Sequence, residues 1–422
     1  MRLRRRTRLV VAVAALGLLT AACGSQATTG ASTPASTAAG GGTTSAASGG
    51  ATIPAASQLS QLQSEVAAAQ AVPTFTTPGP AIKDVGALKG DKIMSIPGSS
   101  QLAACEQMSE AEQSLGDAVG TPVTIYQNDG LTSQWESGVE TAIAQGYKAV
   151  ILTCSINPLS IVPVLQDAES HGVKVVCYAV NEPVTATTYP GLASGVGEKA
   201  IADEDTMVEQ AFVHSGGKPF NMLLITSNAV NGEPLQVAEV KKEMNALCGS
   251  ACKIYQTDVE VPDWATKIQS TVQSYLLTHP DISVVYPLYS GEYLFALPGI
   301  EASHRSNVVL TGGFGNGTPE IQLQLATPGS TIAIGQMSSY ADWAAYSAYY
   351  QTALVLAGQT PVSYQNTATP NVLTTPANAA NVLTGVKAYG DQFVNGYRAL
   401  FGLSALSGAA LNAAATVGQN AK

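Results

Sequence analysis

The 422-residue sequence has few charged residues and lacks the basic surface that nucleic-acid-binding proteins need. Only 12% of its residues are Asp, Glu, Lys or Arg, and 30 acidic residues outnumber 20 basic ones, for a net charge of −10. Affinity for nucleic acid comes largely from Lys and Arg side chains that neutralise phosphates, and no stripe of such residues is present. We therefore expect no nucleic-acid partner.

Catalytic motifs are also missing from the sequence. The four histidines show no pairing with a nucleophile, and neither a Gly-x-Ser-x-Gly turn nor a phosphate-binding loop is found. The glycines at 195–197 and 312–317 lack the strand, helix and acidic partner of a dinucleotide site. The sequence therefore predicts a protein that is not an enzyme and that uses no cofactor and no metal.

The N-terminal residues have the pattern of an export signal. Five arginines in the first eight residues precede an 11-residue run, 9–19, that is apolar except for Gly17, and this run is too short to span a membrane. Small residues then lead to Cys23, and a cysteine at this position resembles the lipobox of bacterial lipoproteins. We expect a signal peptide at 1–22, a lipidated Cys23 and an extracytoplasmic protein that is lipid-anchored to the cell membrane. A secreted chain with a chance cysteine is the alternative.

Residues 23–55 consist almost entirely of Gly, Ser, Thr and Ala. Such a segment cannot bury enough apolar surface to offset its conformational entropy, so we expect a disordered tether. Its length would hold a folded domain roughly 30 Å from a membrane.

The remaining cysteines predict disulfides, because an exported chain folds in an oxidising compartment. Cys248 and Cys252 flank a short turn and form the expected local bridge; zinc is disfavoured because no second ligand pair is near in sequence. Cys105, Cys154 and Cys177 are an odd set, so at most one more bridge can form. We favour Cys105 with Cys154, since both fall near the carboxyl edge of the first predicted sheet.

Short apolar, β-branched segments recur every 25 to 30 residues and alternate with amphipathic helical segments. This is the period of βαβ units in a parallel sheet. A further helix is predicted at 57–71, before a proline-rich stretch. The predicted strands of the first series are 92–96, 122–126, 148–153 and 173–180, and those of the second are 221–226, 253–256, 282–287, 307–311 and 331–335. The helices predicted within the second series are 237–247, 266–277 and 292–302.

Four segments carry a resemblance to a known family. They are 133–152 (SQWESGVETAIAQGYKAVIL), 270–287 (STVQSYLLTHPDISVVYP), 312–319 (GGFGNGTP) and 332–336 (IAIGQ). Together they resemble the bacterial type I periplasmic sugar-binding proteins of the ribose-binding class, over about 88–390. The resemblance implies an α/β fold of two Rossmann-like lobes with parallel sheets, joined by a three-segment hinge, with ligand bound at the carboxyl ends of both sheets.

The resemblance also sets the expected domain limits. An N-terminal helix and proline-rich lead-in occupy 56–87, and a flexible tail occupies 404–422. Lobe 1 is predicted at 88–190 plus 337–360, and lobe 2 at 191–336 plus 361–403. The crossovers between lobes are predicted near 185–192, 334–338 and 358–364.

The expected function is that of the solute-binding lipoprotein of an ABC importer, a monomer that delivers a small uncharged sugar or polyol to a membrane permease. The charged pair that grips sugar hydroxyls in the family is missing near 179–181, so an anionic ligand is disfavoured. The alternative is a ligand-sensing surface lipoprotein that presents its closed form to a membrane receptor or kinase, and an adhesive domain is a third possibility. The candidate ligand-binding residues are Trp264, Gln336, Asn181, Glu182, Phe314, Tyr289, Ser290, Gln236 and Ser99.

Overall fold

The computed structural model describes residues 56–154, 156–228, 230–316, 319–380 and 392–415. The predicted signal peptide, Cys23 and the tether lie outside these residues. No helix in the described part of the chain is long and apolar enough to cross a membrane. The first described element is helix α1 (Ala56–Ala68), which confirms the helix predicted there.

Lobe 1 is built on a five-stranded parallel sheet in the order β2-β1-β3-β4-β5. The strands are β1 (Ile93–Pro97), β2 (Val123–Ile125), β3 (Ala149–Thr153), β4 (Lys174–Val180) and β5 (Ser194–Gly197). The connecting helices are α2 (Ala103–Val119), α3 (Thr132–Ala144) and α4 (Val162–Ser170). Every residue of β1 and β3 is buried, as expected for strands covered by helices on both faces.

Lobe 2 contains a four-stranded parallel sheet in the order β7-β6-β8-β9. Its strands are β6 (Asn221–Thr226), β7 (Lys253–Asp258), β8 (Ile282–Pro287) and β9 (Val309–Leu310). Its helices are α5 (Ala200–His214), α6 (Glu233–Cys248), α7 (Trp264–Thr278), α8 (Ser290–Ser303) and α9 (Pro319–Ala326). The strand predicted at 331–335 is reduced to a single bridge between Ala333 and Leu310.

A three-stranded sheet, β10-β11-β12, lies where the chain passes between the lobes. Its strands are β10 (Gly315–Asn316), β11 (Gln336–Ser339) and β12 (Val372–Thr374). The chain leaves lobe 1 after β5, returns through β11 and leaves again through β12. Helix α10 (Ala341–Leu356) and the short α11 (Tyr364–Thr367) follow β11 and pack in lobe 1.

Two predicted crossovers therefore need correction. The first does not lie at 185–192, because β5 comes later and still pairs with β4. The third does not lie at 358–364, because α11 packs against β5 and the chain crosses only at β12. The crossover predicted at 334–338 coincides with β11.

The C-terminal residues also differ from their predicted place. Helix α12 (Gln392–Leu400) belongs to the core of lobe 1, not lobe 2, because Phe393 and Tyr397 are buried there. Helix α13 (Gly408–Ala415) lies in the segment predicted to be a flexible tail, yet its Leu411 and Ala415 are buried in the same core. The hydroxyl of Tyr340 donates a hydrogen bond to the carbonyl of Ala415. Part of the predicted tail is thus a packed element.

The N-terminal segment spans both lobes. Helix α1 packs against α5, and its Val66 is part of the lobe 2 core. The chain then reaches lobe 1, where the ring of Phe75 contacts Trp343 and Tyr397 with centroids 5.5 and 5.4 Å apart. We call residues 56–88 the N-terminal strap.

Candidate functional site

A cavity lies between the two lobes, at the carboxyl ends of both parallel sheets. Its volume is about 280 Å³. Loops that follow β1, β3 and β5 line it from lobe 1, and loops that follow β6, β7 and β8 line it from lobe 2. Open α/β sheets bind their ligands at this edge. We call this cavity the cleft.

The lobe 1 wall of the cleft combines an indole ring with a disulfide. Trp135, in the first turn of α3, donates its indole N–H to the carbonyl of Gly98 at 3.0 Å, which fixes the ring against the loop after β1. Cys105 at the start of α2 is bonded to Cys154 after β3, and both cysteines line the cleft. This is the second bridge favoured from the sequence.

The lobe 2 wall is built around Trp264, the first residue of α7. Its indole N–H donates to the carbonyl of Val259 at 2.9 Å, and its ring stacks on Tyr289 with centroids 6.1 Å apart. Gly291 is required beside it, because a Cβ there would collide with the indole. The ring is therefore held in one orientation at the wall of the cleft.

Three polar side chains lie at the hinge end of the cleft. Glu198 directly follows β5, and the hydroxyl of Tyr178 donates to its Oε1 at 3.1 Å. Burial raises the pKa of Glu198 to about 8, opposed by the Tyr178 hydrogen bond and reinforced by the nearby Asp203 carboxyl. Ser339, the last residue of β11, also lines this end.

A buried hydrogen-bond network supports the lobe 2 wall from behind. The hydroxyl of Tyr289 donates to Oε1 of Gln236 at 3.0 Å, and the Gln236 amide donates to Oε1 of Glu204 at 3.0 Å. The Tyr286 hydroxyl donates to the other oxygen of Glu204. Burial holds the pKa of Glu204 well above its ordinary value. This network fixes the hydroxyl end of Tyr289 away from the cavity.

The lobes touch each other beside the cleft. Ile156 and Val230 form an antiparallel bridge between them, and the Asn231 amide of lobe 2 donates to the carbonyl of Ala179 in lobe 1. Ala179 and Cys154 both have positive φ, 65° and 59°, which is uncommon for residues other than glycine. Such backbone strain is often kept at ligand sites. The structure thus has its two lobes in contact beside a partly open cavity.

Four of the nine residues predicted from the sequence line the cleft. They are Trp264, Tyr289, Ser290 and Phe314. Phe314 is placed by its backbone, which pairs with Leu288 and accepts a hydrogen bond from the Ser290 N–H at 2.9 Å.

The other five predicted residues are not part of the cleft lining. Gln236 lies behind Tyr289, and Glu182 is exposed on a loop. Asn181 is in contact with Gly232 of lobe 2, and Ser99 is buried and accepts a hydrogen bond from the backbone N–H of Gln101. Gln336 is fully buried in β11, and its side-chain nitrogen has no hydrogen-bond partner among the described residues.

Several cleft residues are missing from the sequence-based prediction. Trp135 shows only helical spacing with its apolar neighbours, which is equally typical of a core residue. A comparison of the two lobes would find it, because Trp135 and Trp264 both lie in the first turn of the helix that follows the second strand of their lobe. Glu198 is missed because β5 is not predicted. Among the described residues, no cluster of three or more His, Cys, Asp or Glu side chains could hold a metal ion.

Comparison with known proteins gives the same fold. Residues 97–360 match the model of a family described as periplasmic binding protein domain. Among curated proteins, none matches this chain significantly.

Solved structures show the same arrangement at low identity. An ABC sugar transporter subunit from Rhodobacter sphaeroides is 20% identical with a TM-score of 0.58, over 69% of this chain and 100% of that one. An ABC transporter solute-binding protein from Agrobacterium vitis with bound allitol is 17% identical with a TM-score of 0.61, over 70% and 99%. Another from Mycobacterium smegmatis with bound glycerol is 20% identical with a TM-score of 0.57, over 69% and 96%.

Proposed function

Because more than half of this chain matches the family model, the chain belongs to the periplasmic binding protein domain family, and from this premise we propose that it is the solute-binding lipoprotein of an ABC importer. In this role it captures a small uncharged solute, a sugar or a polyol, between its lobes and presents it to a membrane permease. Membership of the family makes it a binding protein rather than an enzyme, as expected from the sequence.

The observation that carries the proposal is the cleft between the two lobes. A cavity of about 280 Å³ lies at the carboxyl ends of both sheets and is lined from both lobes and from the hinge. Two-lobed proteins with this architecture close around a ligand by hinge motion. A ligand held in this way contacts both lobes, so its binding stabilises the closed arrangement that a permease can recognise.

The charge of the cleft supports an uncharged ligand. Among the described residues that line it there is no Lys, Arg or His, and Glu198 is the one residue of an ionisable acidic or basic type. A phosphate or dicarboxylate would find no cationic partner in this lining. The structures of the A. vitis and M. smegmatis proteins contain allitol and glycerol, which are uncharged polyols, and this also supports an uncharged ligand.

We assign the direct contacts to the residues that line the cleft. The rings of Trp264 and Phe314 would stack on the ligand, and the hydroxyl of Ser290 would hydrogen-bond to it. Gln236 would act indirectly, through its bond to Tyr289. Gln336 lies in β11, where the chain passes between the lobes, and it would affect the hinge motion rather than contact the ligand.

A ligand screen on the purified protein tests the binding role. Sugars, polyols, nucleosides, amino acids, phosphates and dicarboxylates are compared by thermal shift, since a ligand at 100 times its Kd adds about 2.7 kcal/mol to stability. We expect the best ligand to be uncharged and its affinity to change little with salt. A phosphate or dicarboxylate as the best ligand, with steep salt dependence, would contradict the proposal.

Membrane attachment is tested separately. Wild-type protein should fractionate with membranes, whereas Cys23→Ala should remain uncleaved or appear in the medium. Equal solubility of the two proteins would contradict lipid anchoring and leave the binding role untouched.

A further inference from the structure

The described lining of the cleft is mostly apolar, and apart from the two tryptophans its polar side chains are Gln101, Tyr178, Glu198, Tyr289, Ser290 and Ser339. Tyr178, Glu198 and Ser339 lie at the hinge end, where the chain leaves β5 and where β11 ends. Away from the hinge, the lobe 2 wall is formed mostly by apolar side chains, including Val261, Trp264, Leu294 and Phe295. The lobe 1 wall is likewise mostly apolar, with Leu102, Met108, Trp135, Ile156 and the Cys105–Cys154 bridge.

Apart from the Ser290 hydroxyl, the polar side chains of these walls hydrogen-bond within the protein, and the amide of Gln101 donates to Oδ1 of Asp129 at 3.2 Å. The indole N–H of Trp135 donates to the carbonyl of Gly98, and that of Trp264 donates to the carbonyl of Val259. The hydroxyl of Tyr289 donates to Gln236. These three side chains therefore offer a ligand an aromatic ring and no free N–H or O–H group.

This arrangement suits a ligand with two unlike ends. A fully hydroxylated sugar would place hydroxyl groups against the apolar walls, and a buried hydroxyl without a partner is unfavourable. An aromatic or alkyl group in that place would lose its contact with water and stack on the indoles instead. Among the described residues, the hinge end combines a carboxyl and a phenol, those of Glu198 and Tyr178, which can exchange hydrogen bonds with a hydroxylated ring.

We propose that the solute is amphiphilic: a hydroxylated ring, bound near Glu198 and Tyr178, that carries an aromatic or alkyl group held between the walls of Trp135 and Trp264. An aryl or alkyl glycoside is the simplest solute of this class. The inference rests on the proposed solute-binding function and narrows its ligand.

A panel of matched sugars tests the proposal. D-glucose, D-galactose, D-xylose, L-arabinose and D-ribose are each measured by calorimetry as the free sugar, the methyl glycoside and the phenyl glycoside. For the sugar that binds best, the phenyl glycoside should bind at least tenfold more tightly than the free sugar, with the methyl glycoside between them. A free sugar that binds as tightly as its phenyl glycoside overturns the proposal.

The panel also separates this inference from the proposed function. Binding of a plain sugar or polyol without preference for the phenyl form overturns the amphiphilic ligand and supports the solute-binding role. The same holds if no panel member binds while a plain polyol from the wider screen does. Absence of binding by every uncharged solute overturns both.

Two variants locate the two ends of the ligand. Phe295→Ala, at a partly buried residue of α8, should reduce the preference for the phenyl glycoside to threefold or less and change the affinity for the free sugar little. Glu198→Gln should weaken the binding of the free sugar and of the phenyl glycoside by the same factor. Trp343→Ala, in the lobe 1 core and outside the cleft, should leave the preference unchanged. Retention of the full phenyl preference in Phe295→Ala overturns the assigned position of the apolar end.

Discussion

At the scale of single residues, two tryptophans define the cleft. Trp135 and Trp264 occupy matching positions in the two lobes, and each uses its N–H to bind a carbonyl of its own lobe. The third tryptophan of the chain, Trp343, is buried in the lobe 1 core. The intrinsic fluorescence of the protein thus comes from two rings at the cleft and one away from it.

Replacement of Trp264 by alanine should weaken ligand binding by roughly 2 kcal/mol, because stacking and buried area are both lost. The variant should also unfold more easily, since Trp264 is only 4% exposed. Calorimetric titration with the best ligand of the screen measures the first effect.

Trp343→Ala is the matched control for this prediction. It removes an equally buried tryptophan, again 4% exposed, and should lower stability while the affinity stays at the wild-type value. If Trp264→Ala binds as tightly as Trp343→Ala does, Trp264 has no role in binding.

The cleft residues that can be predicted from the sequence are those that align with ligand-binding positions of the family that the chain resembles. Tyr289, Ser290 and Phe314 follow strands of lobe 2 and are found in this way. Asn181 and Gln236 are predicted in the same way, yet Asn181 lies against Gly232 and Gln236 hydrogen-bonds to Tyr289. A sequence shows which strand a residue follows, but rotamers and local hydrogen bonds decide which side chain reaches the cavity.

At the scale of elements, the limits of the prediction have a common cause. The strands with the strongest apolar runs, such as β3 and β8, are predicted correctly to within a residue. Strand β5 reads Ser-Gly-Val-Gly, and helix α10 is apolar on all its faces, so neither has the alternation or spacing by which strands and amphipathic helices are found. The segment at 408–415 is rich in alanine and gains its structure only by packing against Tyr340 and its neighbours.

The two disulfides should contribute unequally to stability. Cys105 and Cys154 are 49 residues apart in sequence, whereas Cys248 and Cys252 are 4 apart. In the chain-entropy account these loops correspond to about 4 and about 2 kcal/mol. Replacement of each pair by serine, followed by urea denaturation, should therefore lower the free energy of unfolding about twice as much for the first pair.

The same variants separate stability from binding. Of the two disulfides, the Cys105–Cys154 pair lines the cleft, so its removal alone should weaken ligand binding. A larger loss of stability from the Cys248–Cys252 pair, or equal affinity in both double variants, would contradict this picture.

The N-terminal strap should belong to the cooperative folding unit, although the family match begins only at residue 97. Phe75→Ala removes a half-buried ring that contacts Trp343 and Tyr397, and it should lower the free energy of unfolding by about 2 kcal/mol. Val72→Ala, at a residue that is 51% exposed in the same strap, should have almost no effect. Urea denaturation that finds the two variants equal would show that the strap contributes nothing.

At the scale of the whole molecule, buried carboxyl groups should make stability depend on pH. Burial raises the pKa of Glu112 and of Glu198 to about 8, and that of Asp203 to about 6. Glu112 is completely buried in lobe 1, beside the hydroxyls of Ser95 and Thr153. Each of these groups is held protonated in the folded protein at a pH where it would ionise in the unfolded chain.

The direction of the effect follows from proton counting. Between the ordinary pKa of 4.5 and the folded value of about 8, the folded protein keeps the Glu112 proton and the unfolded chain has lost it. Raising the pH through this window therefore favours unfolding, by about 1.4 kcal/mol per pH unit for such a group. Above pH 8 both states are ionised and this contribution no longer changes.

The protein should consequently melt at a higher temperature at pH 5 than at pH 8. Glu112→Gln keeps the shape of the side chain but removes its proton equilibrium, so this variant should gain stability over wild type at pH 8 and depend less steeply on pH. Glu140→Gln, on the exposed face of α3, should follow the wild-type profile. Calorimetric melting of the three proteins from pH 5 to pH 9 measures these differences. A wild-type melting temperature that rises with pH across this range would mean that the buried carboxyl groups are ionised in the folded state, with cationic or hydrogen-bonding partners that outweigh their burial.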